Sequence, residues 1–133
     1  HNLENTFHLF LFYLQISVTP IAIYKPLASE VNFFLPSYIQ CGKYALTNPT
    51  DWEIFLIHNS TSAVIKGSYV NRSTHRALEN GTVVFTLWHL SASDFGFYQL
   101  RKGKYLMQEP GCDIYFELKE LRDSKFNRRF VYV

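Results

Sequence analysis

Phe85-Thr86-Leu87-Trp88-His89-Leu90-Ser91-Ala92-Ser93-Asp94-Phe95-Gly96-Phe97-Tyr98 is the stretch on which the reading of this chain turns. It opens as a strand: Val83, Phe85 and Leu87 alternate with Val84, Thr86 and Trp88, the period of two that puts one set in a core and the other outside. Asn80-Gly81, just upstream, is the strongest two-residue hairpin signal. The pattern then breaks into Ser, Asp and Gly, and resumes with Phe97 to Leu100 as a second strand. A tyrosine just past such a bend can bury its ring while its hydroxyl bonds nearby backbone. Gly96 suits the tight bend, while Asp94 either caps the turn or pairs with a basic residue on a neighbouring loop.

Outward from this stretch, short alternating runs separated by turn residues continue in both directions. Val31, Phe33 and Leu35 alternate with Asn32 and Phe34, and Pro36-Ser37 closes the run. Residues 40–51 are polar and contain Gly and Pro, so they read as a connection. Trp52, Ile54 and Leu56 then point one way, with Glu53, Phe55 and Ile57 pointing the other. A turn at 58–62 leads to a short strand at 63–65, and 68–77 reads as a weak edge strand or loop. Ile114, Phe116 and Leu118 alternate with Tyr115, Glu117 and Lys119 in the last clear strand, and 119–129 reads as its end followed by a solvated linker. Many short strands at regular spacing, with no repeat or heptad, indicate an all-β sandwich or barrel.

Composition agrees. The chain has 133 residues, enough for one domain, with 47 % hydrophobic and 18 % charged residues, which excludes a disordered tail or a fibre. Aromatics reach 17 %, including 12 Phe and 9 Tyr, and these are strand formers. A formal charge of +2 is too weak to imply a nucleic-acid partner, and Arg101, Lys102 and Lys104 form only one small basic cluster. The apolar stretch 7–18 is shorter than the ~20 residues a spanning helix needs, so it reads as an early strand, and a membrane anchor is expected only outside this sequence.

Two cysteines, Cys41 and Cys112, suit either one disulfide in an oxidising compartment or two free thiols in the cytosol. Three glycosylation sequons favour the former: Asn59-Ser60-Thr61, Asn71-Arg72-Ser73 and Asn80-Gly81-Thr82. No catalytic signature accompanies them. The histidines at 1, 8, 58, 75 and 89 lack metal spacing, and there is no nucleophile elbow, phosphate-cradling loop or dinucleotide fingerprint. No enzyme activity, cofactor or metal is therefore expected.

The arrangement Leu87, Leu90, Asp94, Gly96, Tyr98 resembles the passage from strand E to strand F of an immunoglobulin variable-type domain, and the resemblance covers about residues 17–121. It implies a Greek-key β-sandwich over 17–121, preceded by an N-terminal extension or extra strand (1–16) and followed by a linker or strand extension (122–133). It also implies that Trp52 lies on strand C. The usual inter-sheet cysteines are replaced by Leu35 on strand B and Leu100 on strand F. That substitution, with Val-Asn-Phe-Phe-Leu-Pro-Ser on strand B and Asn-Gly-Thr leading into strand E, resembles the first domains of SLAM-group lymphocyte adhesion receptors, or a virus-encoded mimic of one.

In this alignment Cys41 falls in the B–C connection and Cys112 in the F–G connection, at one end of the sandwich, so a bridge between them is preferred. The competing alignment makes Cys41 the strand B cysteine. Function then belongs to the face of strands G, F, C and C′. The residues expected to meet a partner are Glu53, Phe55 and Ile57 on strand C, Phe97, Gln99 and Arg101 on strand F, and Lys102, Lys104 and Tyr105 in a long F–G loop (102–111). Tyr115, Glu117 and Lys119 follow on strand G. The implied role is an extracellular adhesion or immune co-signalling receptor ectodomain. Its expected partner is another cell-surface immunoglobulin-like protein, or a second copy of itself. The alternative is a secreted or viral glycoprotein acting as a decoy for an immune receptor or cytokine.

Overall fold

In the computed structural model, which describes residues 19–48, 53–59 and 62–122, the alternating runs form two facing sheets. The strands are β1 (Ile21–Lys25), β2 (Val31–Leu35), β3 (Tyr44–Thr47), β4 (Phe55–Asn59), β5 (Ser62–Ile65), β6 (Ser73–Ala77), β7 (Val83–Leu87), β8 (Gly96–Lys102), β9 (Tyr105–Leu106) and β10 (Tyr115–Glu120). A four-residue helix, α1 (Tyr38–Cys41), follows β2, and 3-10 turns occupy Gly67–Arg72 and Ala92–Asp94. The larger sheet runs β1-β10-β8-β3-β4-β5, with β9 also paired to β8; the smaller runs β2-β7-β6. Neighbours are antiparallel except β1, which lies parallel to β10. The early strand expected at 7–18, Trp52 and the linker beyond 122 lie outside the described residues.

Aromatic rings join the two layers. Phe33 on β2 packs against Tyr98 at 4.8 Å and Phe116 at 5.1 Å across the interior, and Phe55 on β4 stacks on Phe85 of β7 at 4.9 Å. Each such pair adds about 1 kcal/mol beyond the area it buries. Leu35 and Leu100 are both fully buried in this shared core. Leu90 closes its lower end, exchanging backbone bonds with the segment at 28–29.

The bend after β7 is built as its residues imply. Tyr98 is fully buried and its hydroxyl donates to the Asp94 carbonyl oxygen. The Asp94 carboxylate, only 1 % exposed, does both things expected of it. It accepts from the Ser91 amide at 2.9 Å, capping the turn, and it takes both guanidinium nitrogens of Arg72 at 2.8 and 2.6 Å. Arg72 ends the 3-10 turn leading into β6, so this ion pair ties the start of a strand in the small sheet to the start of β8 in the large one. Burial works to raise the Asp94 carboxyl, but the hydrogen bonds and charge of Arg72, together with Ser91, outweigh it and hold the group below its ordinary range.

One strand is reassigned. The position beside β8, expected for the run at Trp52, belongs to β3, and the 52–57 run supplies β4 one place further out. Tyr44-Ala45-Leu46-Thr47 hid inside a connection because it is four residues long and buried throughout, with no polar alternation to reveal it. Its anchor is Tyr44, whose hydroxyl donates to the Pro36 carbonyl at 2.6 Å and whose ionisation burial pushes strongly upward. The phase of β4 also differs from the expected one. The Ile54 amide donates to Leu46 O at 3.0 Å while Phe55 pairs with the same Leu46 in register, so two residues face one. Such a bulge flips every later side chain to the opposite face. Phe55 and Ile57 therefore enter the core, and Leu56 turns outward.

The opposite end of the sandwich is held covalently. Cys41 at the end of α1 bonds Cys112, with their Cα atoms 5.7 Å apart. Both sulfurs lie in connections, so the competing placement of Cys41 on strand B is corrected. The long F–G loop is corrected too. β8 turns tightly at Gly103, whose φ of +65° favours glycine, straight into β9. β9 pairs with Arg101 and Lys102, Met107 donates its amide to Leu100 O at 3.1 Å, and β10 pairs with residues 96–99. The last strand is thus one line along β8, interrupted by an excursion over 108–114 that the disulfide pins to α1. At Gly111 a Cβ would come within 2.5 Å of Gln40 Nε2, so excursion and helix meet closely.

Candidate protein-recognition face

Residues opposite one another on neighbouring strands share a face, so the register groups the side chains on the side of the large sheet away from the core, where Ala45 and Thr47 of β3 are nevertheless buried between their neighbours. One row reads Val64, Leu56, Ala45, Arg101, Leu106 across five strands. A second reads Thr47, Gln99, Tyr115 and a third Phe97, Glu117, Ala22, with Lys119 beside Tyr24 beyond them. Val64, Leu106 and Phe97 are exposed, and Phe97 packs its ring on Tyr115 at 5.4 Å. Lys119 Nζ sits 5.7 Å from the Tyr24 ring centre, a cation over an aromatic.

Of the residues expected to meet a partner, Phe97, Gln99 and Arg101 lie together on this face, as do Tyr115, Glu117 and Lys119. Lys102, Lys104 and Tyr105 form the β8–β9 tip at its upper edge, with Tyr105 78 % exposed. Arg101 Nη1 donates to the Lys104 carbonyl at 2.9 Å, bracing that tip. Glu53 is half-buried and pairs with Lys66 at 3.1 Å. Phe55 and Ile57 do not belong here; the bulge replaces them with Leu56. Leu56, Val64 and Leu106 are the members that sequence reasoning missed. Ile54 to Ile57 is an unbroken apolar run whose phase only the bulge decides, whereas Leu106 was hidden by reading β9 as loop.

The charges here are shallow. Lys102 and Glu109 pair at 3.5 Å with both side chains about half exposed, and Lys119 meets Glu117 at 3.9 Å. Exposed pairs of this kind are worth at most about 1 kcal/mol, so they orient and select more than they hold. Lys102, Tyr105, Leu106, Gln108 and Glu109, with Met107 at the floor, line an open shallow groove beside the tip. Among the described residues no three His, Cys, Asp or Glu side chains gather as a metal site would require, and no helix is long and apolar enough to cross a membrane.

The solved structure of murine CRIg, a variable-type immunoglobulin domain, has a similar shape: the match covers 78 % of this chain and 95 % of that one, with a TM-score of 0.51 at 17 % identity. The fold is an immunoglobulin-like β-sandwich. No protein-family model matches the sequence, and neither does any curated protein. In immunoglobulin terms β2, β7 and β6 are strands B, E and D, β8 is F, and β9 with β10 makes an interrupted G. β3, β4 and β5 are then C, C′ and C″, and the face described above is the outer side of G, F, C and C′.

Proposed function

We propose that this is an extracellular recognition domain that binds another cell-surface protein through the outer face of β10, β8, β3 and β4. The observation that carries the reading is that Leu56, Leu106, Phe97 and Tyr115 lie on one side of these strands, interspersed with Arg101 and Gln99 and flanked by Lys102, Lys119 and Glu117. An apolar centre with a rim of mixed charge is the anatomy of a protein interface, and exposed apolar patches on monomers usually mark one. The buried disulfide and the three sequons support an oxidising, secretory environment. The aliphatic core at Leu35 and Leu100 supports the likeness to SLAM-group adhesion receptors, in which the same face would meet a similar domain.

The test is a screen of the soluble chain against cell-surface ectodomains, itself included, repeated with Phe97→Ala and Arg101→Glu. Truncating a central aromatic anchor should weaken binding about tenfold or more. The charge reversal should slow association and reduce its salt dependence. Both variants should keep the parent's unfolding midpoint. Binding unaffected by either change would move the site off this face.

A further inference from the structure

The two sheets end on the same side of the molecule in strands that, among the described residues, have no further neighbour: β5 closes the large sheet and β6 the small one. The Phe55 ring of β4, the neighbour of β5, packs on His75 of β6 at 5.1 Å, which puts the two edges on one side. An unpaired edge offers a row of amides and carbonyls to any other strand, and proteins blunt such edges with prolines, charges or cover. β1, at the far edge of the large sheet, is bracketed by Pro20 and Pro26 and ends on Lys25. β5 has no proline, and the one charge next to it, Lys66, is paired with Glu53. Its sequence is Ser-Ala-Val-Ile, uncharged and β-prone, with Val64 exposed on it and Val70 exposed in the following turn.

The three sequons fall in the three consecutive connections that border these strands. Asn59 ends β4 at the turn into β5, Asn71 lies two residues before β6, and Asn80 lies in the turn three residues after it. All three are exposed. No other N-x-[ST] match without proline occurs in the chain, so none borders β8, β9 or β10. At Asn80 the side-chain oxygen accepts the Thr82 amide at 3.0 Å, which occupies Oδ1 and leaves the amide nitrogen to react.

We infer that N-linked glycans at Asn59, Asn71 and Asn80 cover the β5–β6 side, preventing edge-to-edge association and leaving the β8–β10 side as the open approach for a partner. The modification is a group transfer from a lipid-pyrophosphate-linked oligosaccharide of the secretory pathway. The Asn Nδ2 bonds the anomeric carbon, the anomeric C–O bond to pyrophosphate breaks, the lipid pyrophosphate departs with the electron pair, and one amide proton is lost to solvent. A bulky, hydrated chain at each end of β6 and at the head of β5 then occupies the space a pairing strand would need.

This inference rests on the extracellular reading, and the experiment separates the two. The full chain is directed through the secretory pathway of cultured mammalian cells, mapped by glycopeptide mass, then trimmed with an endoglycosidase after folding and sized by light scattering. Glycan on all three asparagines, with self-association appearing only after trimming and suppressed again by Ser62→Lys on the β5 edge, is the expected result. Secreted protein with its disulfide formed but bare at Asn71 and Asn80, or trimmed protein that stays monomeric, would overturn the inference while leaving the extracellular reading intact. A chain retained in the cell with both thiols free would end both.

Discussion

The two ends of the sandwich are fastened by different chemistry. At the lower end, Asp94, Arg72 and Tyr98 make a polar knot of one ion pair and a few hydrogen bonds, and its residues lie within 26 positions of one another. At the upper end, Cys41 and Cys112 are 71 positions apart and joined covalently, closing an excursion that interrupts the last strand. The lower knot assembles from neighbouring turns and depends on protonation. The upper one depends on oxidation and draws its strength from restricting the unfolded chain. A domain built this way should respond separately to acid and to reductant.

The largest effect is expected at the upper end. Replacing both cysteines with serine should cost roughly 4 kcal/mol, the chain-entropy value for a loop of this size. Chemical denaturation should show the loss, and parent protein under strong reductant should follow it. A change well under 1 kcal/mol would mean that the excursion and α1 hold each other by packing alone. Next comes Arg72→Ala, which strands a buried carboxylate and should destabilise by about 3 kcal/mol. Acid offers the same contrast without mutation. Because the folded-state Asp94 carboxyl is held low, its contribution is complete above the ordinary carboxylate range near pH 4 and drains away as pH falls through the lowered value. Stability measured from pH 6 downward should therefore fall more steeply in the parent than in Arg72→Ala. Parallel curves would remove the ion pair from the account. The smallest effect is Tyr98→Phe, which leaves the ring in place and deletes one hydroxyl, for a loss of about 1 kcal/mol in urea midpoint experiments. No loss would show the corner to be held by packing and by Arg72.

Legibility in the sequence followed the same division. The Asp94 and Tyr98 part of the lower knot could be read because the alternation through Val83–Leu87 and the Asp-x-Gly-x-Tyr spacing are local signals, whereas Arg72, in a stretch that reads only as a weak edge strand or loop, could not. β2, β8 and β10 could be read for the same reason: each alternates cleanly between a buried and an open face. β3 could not, because all four of its residues are buried and so show no alternation. The face at β4 was misphased by a single extra residue at Ile54–Phe55, which no pattern within a run of four apolar side chains discloses. β1 was also overlooked, since its place beside β10 is a long-range pairing set by the other end of the chain. For the face itself, the strand F and G residues were legible and the strand C′ residues were not.

The pairing of β1 with β10 has a mechanical side. The two strands run in the same direction, matched over five residue pairs from Ile21–Phe116 to Lys25–Glu120, and the Leu121 amide extends the ladder to Lys25 O at 2.9 Å. Tension applied between the chain before Ile21 and the chain after Leu121 pulls them along opposite senses of one axis. The bonds between them then bear the load together as a lap joint does, instead of opening in turn like a zip.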